Sequence, residues 1–328
     1  MAIFMLSPKR SAALLMLLLL NACGGGSSTS TSASSNTGQV ANPPVVATVG
    51  PTDAAAADVQ AVQPTGNTAT DGLNWFNYRR GLLGMSTLVR TDTIDVAAQG
   101  HSRYEQLNDT LTHLQDPGRA GFTAVTPPER LAAANYRFTA PSHASGEVLS
   151  STTDQSGFNA AEDLIAAIYH RFVIFEPMFR QAGAGSAVSS SGRTYFTVDF
   201  AANGLTSALG RGRFLVYPAD GQKSIPPGFF SDYETPDPVP DRNQVGYPIS
   251  LHADITSTLT VTSFTVRPRN GALLQTRLLV HASDPETPVS AAALIPLNVL
   301  ASGTTYDVQF AGTVDDMPVS RTWSFSTR

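Results

Sequence analysis

The chain is 328 residues long, enough for about two domains at roughly 150 residues each, and its 42% hydrophobic content can fill a core. Charged residues make up only 14%, against about 25% in an ordinary soluble domain, so Ser, Thr, Asn and Gly must cover much of the surface. With two lysines, Lys9 and Lys223, and a formal net charge of -5, the chain has no basic patch to neutralise a run of phosphates, which argues against a nucleic-acid partner.

Residues 1–22 have the order of an export signal. A short cationic start with Lys9 and Arg10 is followed by an apolar run from Ala12 to Leu20 and then by Asn21-Ala22-Cys23. The apolar run is too short for a bilayer core, which needs about 20 residues. The junction Leu20-Asn21-Ala22-Cys23 resembles a bacterial lipobox, with Asn21 a mild departure. That resemblance implies that Cys23 becomes the lipidated first residue of the mature protein. Gly24 follows it where an inner-membrane retention aspartate would stand, which implies an outer-membrane lipoprotein of a Gram-negative cell. Cys23 is the single cysteine, so a disulfide within the chain and cysteine catalysis are both excluded. Residues 23–70 are Gly, Ser, Thr, Ala, Pro and Asn with few bulky apolar side chains. Such a composition cannot offset the entropy of ordering and is expected to be a disordered tether.

Order is expected from about Asp71, which can cap a helix carrying Leu73, Trp75, Phe76 and Arg79 and ending in the turn from Gly81 to Gly84. A second helix, capped by Thr91 or Asp92, runs through Ile94, Ala97, Ala98, His101, Tyr104 and Glu105 towards Asn108, with His101 beside the apolar stripe. Thr126-Pro127-Pro128-Glu129 combines a capping box with proline in the first turn and opens a third helix. A fourth begins near Asn159 and carries Leu164, Ile165, Ile168, Phe172 and Phe175. Segments from Glu147 to Ser151 and from Tyr195 to Ala201 read as strands, the second alternating Phe196, Val198 and Phe200 with Thr197 and Asp199. Helices with a few antiparallel strands indicate an α+β fold over residues 71–205.

After Gly210 the texture changes to short apolar-polar alternations separated by turns: Phe214 to Gly221, Leu259-Val261, Phe264-Val266, Tyr306-Val308-Phe310 and Trp323-Phe325. The Pro-rich residues 226–240 are expected to form an extended crossing between them. This pattern reads as a small all-β sandwich over residues 211–328. Pro218-Ala219-Asp220-Gly221, Tyr306-Asp307-Val308 and Trp323-Ser324-Phe325 resemble bacterial Ig-like modules, which implies a spacer or adhesion unit.

His101-Ser102-Arg103-Tyr104, Thr112-His113, Gly146-Glu147-Val148, Tyr169-His170-Arg171, Gly183-Ala184-Gly185 and the strand Tyr195 to Phe200 occur in an order and spacing that resemble the bacterial branch of the CAP superfamily. This is the cysteine-rich secretory protein, antigen 5 and pathogenesis-related type. The resemblance covers about 130 residues and implies a three-layer α-β-α sandwich. It also implies a polar cavity, with His113 as its first histidine, Glu147 as its first carboxylate and His170 as its second histidine, and with His101 near the pocket. The family's second carboxylate has no clear match: the segment from Asn159 to Tyr169 offers only Glu162 and Asp163. Asp163 would share a face with His170 if that helix were unbroken.

Imidazole and carboxylate groups on one open site can hold a divalent cation such as zinc at His113, Glu147 and His170. The same residues can equally serve packing, with imidazole donating to a buried carboxylate, and both readings stay open. His143, in a serine-containing loop, is expected to be solvated, and His252 and His281 stand without acidic partners in the tail. Serine chemistry lacks its motif: no Gly-x-Ser-x-Gly elbow occurs, and Ser102 lies on a helix beside His101. There is likewise no phosphate loop and no His-Glu-x-x-His. The leading expectation is a lipid-anchored envelope protein binding a small-molecule, lipid or cell-wall ligand in its cleft rather than an enzyme. The alternatives are a metal-dependent hydrolase and an adhesion or scaffold protein.

Overall fold

The computed structural model describes residues 3–6 and 62–328. Most of the leader, Cys23 and most of the expected tether lie outside the described residues. The amino-terminal half is a five-stranded sheet in the order β1-β3-β5-β4-β2. Its strands are β1 (Ile3–Leu6), β2 (Val89–Arg90), β3 (His143–Thr152), β4 (Gln181–Val188) and β5 (Thr194–Asn203). Five helices flank it: α1 (Thr68–Leu82), α2 (Asp92–Asn108), α3 (Pro127–Ala133), α4 (Gly157–Ala166) and α5 (Ile168–Ile174).

The alternation read in β5 builds the layers. Phe196, Val198 and Phe200 share one buried cluster with Leu73 and Phe76 of α1, Leu164 of α4 and Val173 of α5, while Ala201 turns the other way to Ile94 and Ala97 of α2 and Leu131 of α3. The result is an α+β arrangement of three layers. Gly183 and Gly185 permit the close approach of α2 to β4, because a Cβ at either would stand 2.2 Å from the backbone nitrogens of Asp95 and Gln99 respectively.

Local chemistry sets several boundaries. Thr126 and Glu129 form the expected capping box of α3, and α2 starts after Thr91 as expected. The cap of α1 is Asn67, which accepts from Thr70 N; Asp71 instead lies in the first turn and accepts from Thr65 and Gly66. The expected fourth helix is two. Ala167, at φ -70° and ψ 119°, is extended and separates α4 from α5.

The carboxy-terminal half holds two four-stranded sheets. One runs β12-β13-β10-β6 and the other β11-β14-β15-β7. The first comprises β6 (Leu215–Tyr217), β10 (Ile249–His252), β12 (Thr276–Val280) and β13 (Ala291–Pro296); the second comprises β7 (Gln222–Ile225), β11 (Leu259–Pro268), β14 (Thr305–Val314) and β15 (Met317–Thr327). The two expected runs at Leu259 and Phe264 are one strand, β11, with a register shift between Val261 and Ser263. The Pro-rich crossing supplies one arm of a short pair, β8 (Gly228–Phe230), which joins β9 (Gln244–Gly246) beyond it, with a 3-10 turn at Ser231–Tyr233 between the arms.

The halves share a core. A single buried cluster includes Phe76, Val148 and Phe196 from the first half and Leu251, Leu294, Phe310, Trp323 and Phe325 from the second. At the seam the rings of Phe175 and Tyr217 lie 4.9 Å apart. Arg171, fully buried, donates to the carbonyls of Ile165 (2.6 Å), Ala166 (3.3 Å) and Pro248 (2.6 Å) and lies over the rings of Tyr217 and Tyr247. The connecting segment is tied down as well: Asp254 accepts from Ser207 Oγ and from the amides of Ala208, Leu209 and Gly210.

Candidate functional site

Glu147 lies on the face of β3 turned towards α2 and α3, directly opposite Asp199 of β5. Its Oε1 accepts from Nδ1 of His113 at 2.7 Å. Its Oε2 accepts from Arg130 of α3, whose other terminal nitrogen donates to the carbonyl of His113 at 2.9 Å. His113, Glu147 and Arg130 are each at most 1% exposed. Burial alone would raise the Glu147 carboxyl, but the neighbouring Arg130 charge, with His101 and the His113 hydrogen bond, draws it down to about 2. Glu147 is therefore ionised and acts only as an acceptor, so His113 carries its proton on Nδ1.

Asp199 has the opposite character. Burial first and the Glu147 charge second hold its carboxyl well above the ordinary range. Neither of its oxygens accepts a hydrogen bond among the described residues. The Asp199 side chain is therefore held neutral beside the ionised Glu147, its partner across the sheet. Glu105 is also raised by burial, and its Oε1 accepts from Thr112 N at 3.1 Å.

His101 is fully buried at the back of this layer. Its Nε2 lies 2.7 Å from the carbonyl of Thr112, an acceptor, so that nitrogen bears the proton. Its Nδ1 then accepts from Gln115 at 2.9 Å, and Gln115 Oε1 accepts in turn from Thr123 N. Burial pushes this imidazole down to about 4. Both ring nitrogens thus serve the fold. Ser102 likewise donates to Thr197 Oγ1 and is fully buried, which removes it as a nucleophile.

His170 lies in the first turn of α5. Its carboxylate partner comes from the carboxy-terminal half: Glu234 Oε1 lies 3.0 Å from His170 Nδ1 and also accepts from the amides of Tyr169 (2.7 Å) and His170 (3.2 Å), while Oε2 accepts from Ile168 N (2.9 Å). Burial lowers the His170 imidazole to about 4 against the pull of Glu234, and His113 is among the groups acting on it. The structure thus brings His113 and Glu147 together and sets His170 on its own carboxylate, while Asp163 and His170 belong to separate helices, α4 and α5.

Other sequence expectations change with the fold. His143 begins β3 and stacks on Phe138 at 4.2 Å instead of standing in solvent. His252 is buried against Phe172 and Phe175 and bonds Ser250 Oγ. Arg130, Asp199 and Glu234 were not singled out from sequence. Arg130 and Asp199 had a signal, being charges on the inward faces of a capped helix and an alternating strand. Glu234, an isolated acid before Pro236, had none.

Zinc at His113, Glu147 and His170 is the metal set expected from the sequence. Among the described residues no group of three His, Cys, Asp or Glu side chains stands where a metal ion could be held; Glu147 is engaged by Arg130 and His113, and His170 by Glu234. A cavity of about 390 Å³ lies elsewhere, between α1 and α2, lined by Asn67, Thr70, Arg90, Asp95 and Gln99 among others, and shares no lining residue with the histidines.

Residues 73–200 form a CAP domain, matching the cysteine-rich secretory protein family over that span. Among solved structures, the chain is similar to an extracellular protein containing an SCP domain from Bacillus anthracis, at 19% identity and a TM-score of 0.34, over 40% of this chain and 39% of that one. It is also similar to an outer surface protein from Borrelia burgdorferi, at 17% identity and a TM-score of 0.33, over 39% of this chain and 87% of that one. The chain thus spans about two fifths of the Bacillus protein. No curated protein sequence matches it. No helix among the described residues is long and apolar enough to cross a membrane.

Proposed function

We propose that the chain is an exported, lipid-anchored envelope protein whose CAP domain binds an extended ligand at the edge of β3, beside the His113–Glu147 pair. The observation that supports this reading is the pairing of Ile3–Leu6, antiparallel, with residues Ala144 to Glu147. Export with removal of residues 1–22 would leave that edge without its strand. An unpaired edge presents a row of N–H and C=O groups to any extended chain, and main-chain bonding then supplies affinity while neighbouring side chains supply selectivity. Here the flanking side chains are a buried carboxylate and its imidazole, so an extended peptide-like ligand carrying a polar group at the Glu147 position suits the edge best. The leader cysteine, Cys23, would hold the protein at the outer membrane.

The test is titration of a soluble piece beginning at residue 62 with a synthetic peptide carrying residues 2–7, followed by backbone NMR. Saturable shifts of the Ala144, Ser145, Gly146 and Glu147 amides are expected, with no shifts for a peptide bearing proline at the position of Phe4. Unchanged β3 amides at millimolar peptide would refute strand addition.

A further inference from the structure

We infer that Glu234 is a positioning residue for His170, fixing the tautomer and orientation of that ring, and that the carboxy-terminal half therefore holds a histidine of the amino-terminal half in place rather than being an appended module. The inference goes beyond the ligand reading above and does not depend on which ligand is bound.

The argument is one of donors and acceptors. Four bonds reach the Glu234 carboxylate, and three come from backbone amides, of Ile168, Tyr169 and His170, which can only donate. The oxygen that takes two of them, Oε1, also faces His170 Nδ1 at 3.0 Å. An oxygen engaged as an acceptor by two amides leaves one role for the fourth partner: Nδ1 donates, and the neutral ring has its lone pair on Nε2. Glu234 is 1% exposed at its side chain and His170 5%, so water does not offer an alternative partner readily. His113 has the same arrangement by separate means, its Nδ1 held by Glu147. An imidazole oriented from behind by a carboxylate is the way proteins fix the face that a ring nitrogen presents.

Glu234 also accounts for the chain path. By accepting the amides of residues 168–170 it satisfies the first turn of α5 and makes the break at Ala167 tolerable. That role in packing coexists with the positioning role, and the two separate experimentally. The hairpin that carries Glu234 is itself held: Ser231 N donates to the carbonyl of Asn243, Ser231 Oγ to that of Arg242, and Val239 and Val245 are buried with Ile168, Tyr169 and Phe172.

The readout is long-range nitrogen-proton NMR of the histidine rings in the protein from residue 62 to 328, which reports the tautomer of each ring. In the wild-type protein at pH 7, His170 is expected to show a protonated, slowly exchanging Nδ1 and an unprotonated Nε2. In Glu234→Gln the amide end can donate to Nδ1, so the slow Nδ1 proton is expected to be lost and the ring to shift towards the Nε2-protonated form; Glu234→Asp should restore part of the wild-type pattern. Asp254→Ala, which unties the connecting segment without touching His170, should lower the melting temperature and leave the His170 signals in place. A wild-type His170 protonated on Nε2, or equal His170 changes in Asp254→Ala and Glu234→Gln, would overturn the inference. The wild-type measurement decides even if Glu234→Gln fails to fold.

Discussion

Replacing Glu147 by Gln removes the only carboxylate to which Arg130 is hydrogen-bonded among the described residues. The guanidinium is 1% exposed and its remaining bonds are to the carbonyls of His113 and Val125. Stripping one partner from a buried pair typically costs about 3–5 kcal/mol. The depression of the Glu147 carboxyl to about 2, drawn down by that same Arg130 charge, has the same sign. Because the carboxyl lies lower in the folded protein, its contribution is present above about pH 4.5 and lost as pH falls towards 2. Urea unfolding of both proteins at steps from pH 7 to pH 3 tests this: the variant should be weaker by about 3 kcal/mol at pH 7 and the gap should narrow on acidification. Asp199 complicates the result usefully. Relieved of a negative neighbour, it can ionise and stand in as counter-charge, so Glu147→Gln combined with Asp199→Asn should lose more than the two single changes added together. A loss below about 1 kcal/mol at pH 7 with no such excess in the double variant would show that Arg130 and Glu147 are not the anchored pair described.

Asp199→Asn alone should change stability at pH 7 by less than about 1 kcal/mol in the same urea assay, since the side chain it replaces is already neutral. Burial lifts Glu176 to about 8, so the stability attached to its protonated form is full below about pH 4.5 and lost as pH rises to 8; Glu176→Gln should match wild type near pH 4 and exceed it at pH 8 by about 2 kcal/mol or more, as thermal melts across that range would show. Cys23→Ser should move the full chain from the membrane to the soluble periplasmic fraction on sucrose-gradient separation; unchanged sedimentation with outer membranes would remove the anchor. Residues 62–205 expressed alone should lack dispersed methyl signals in proton NMR, because the cut exposes the seam at Phe175 and removes Glu234 and Pro248.

The sequence made the first half readable where structure is decided locally. Thr126 and Glu129 cap α3 whatever surrounds them, and the alternation of Phe196, Val198 and Phe200 sets the face of β5 without outside help. The carboxylate of Glu147 and the imidazole of His113 could be paired in advance through the family resemblance. What could not be read was set from far away. The break at Ala167 has no proline or glycine to announce it, and depends on a carboxylate more than 60 positions later. Strand β13 runs Ala291–Pro296 and is buried along its whole length; a run starting with three alanines carries no alternation and no β-branched signal until Ile295. The shared core was hidden for a similar reason, since Phe175, Tyr217 and Tyr247 each look like ordinary members of their own segment until Arg171 brings the rings together.

The placement of Glu234 bears on how such a chain can change by descent. Modules joined by a passive linker can be exchanged by recombination, each new pairing keeping the old site intact. Here an exchange at the connection near Gly204 would deliver a CAP segment with His170 uncoupled from its carboxylate, α5 uncapped and Arg171 missing its carbonyl at Pro248. Exchanging either half would thus break the contacts of Glu234 with α5 and of Arg171 with Pro248 together.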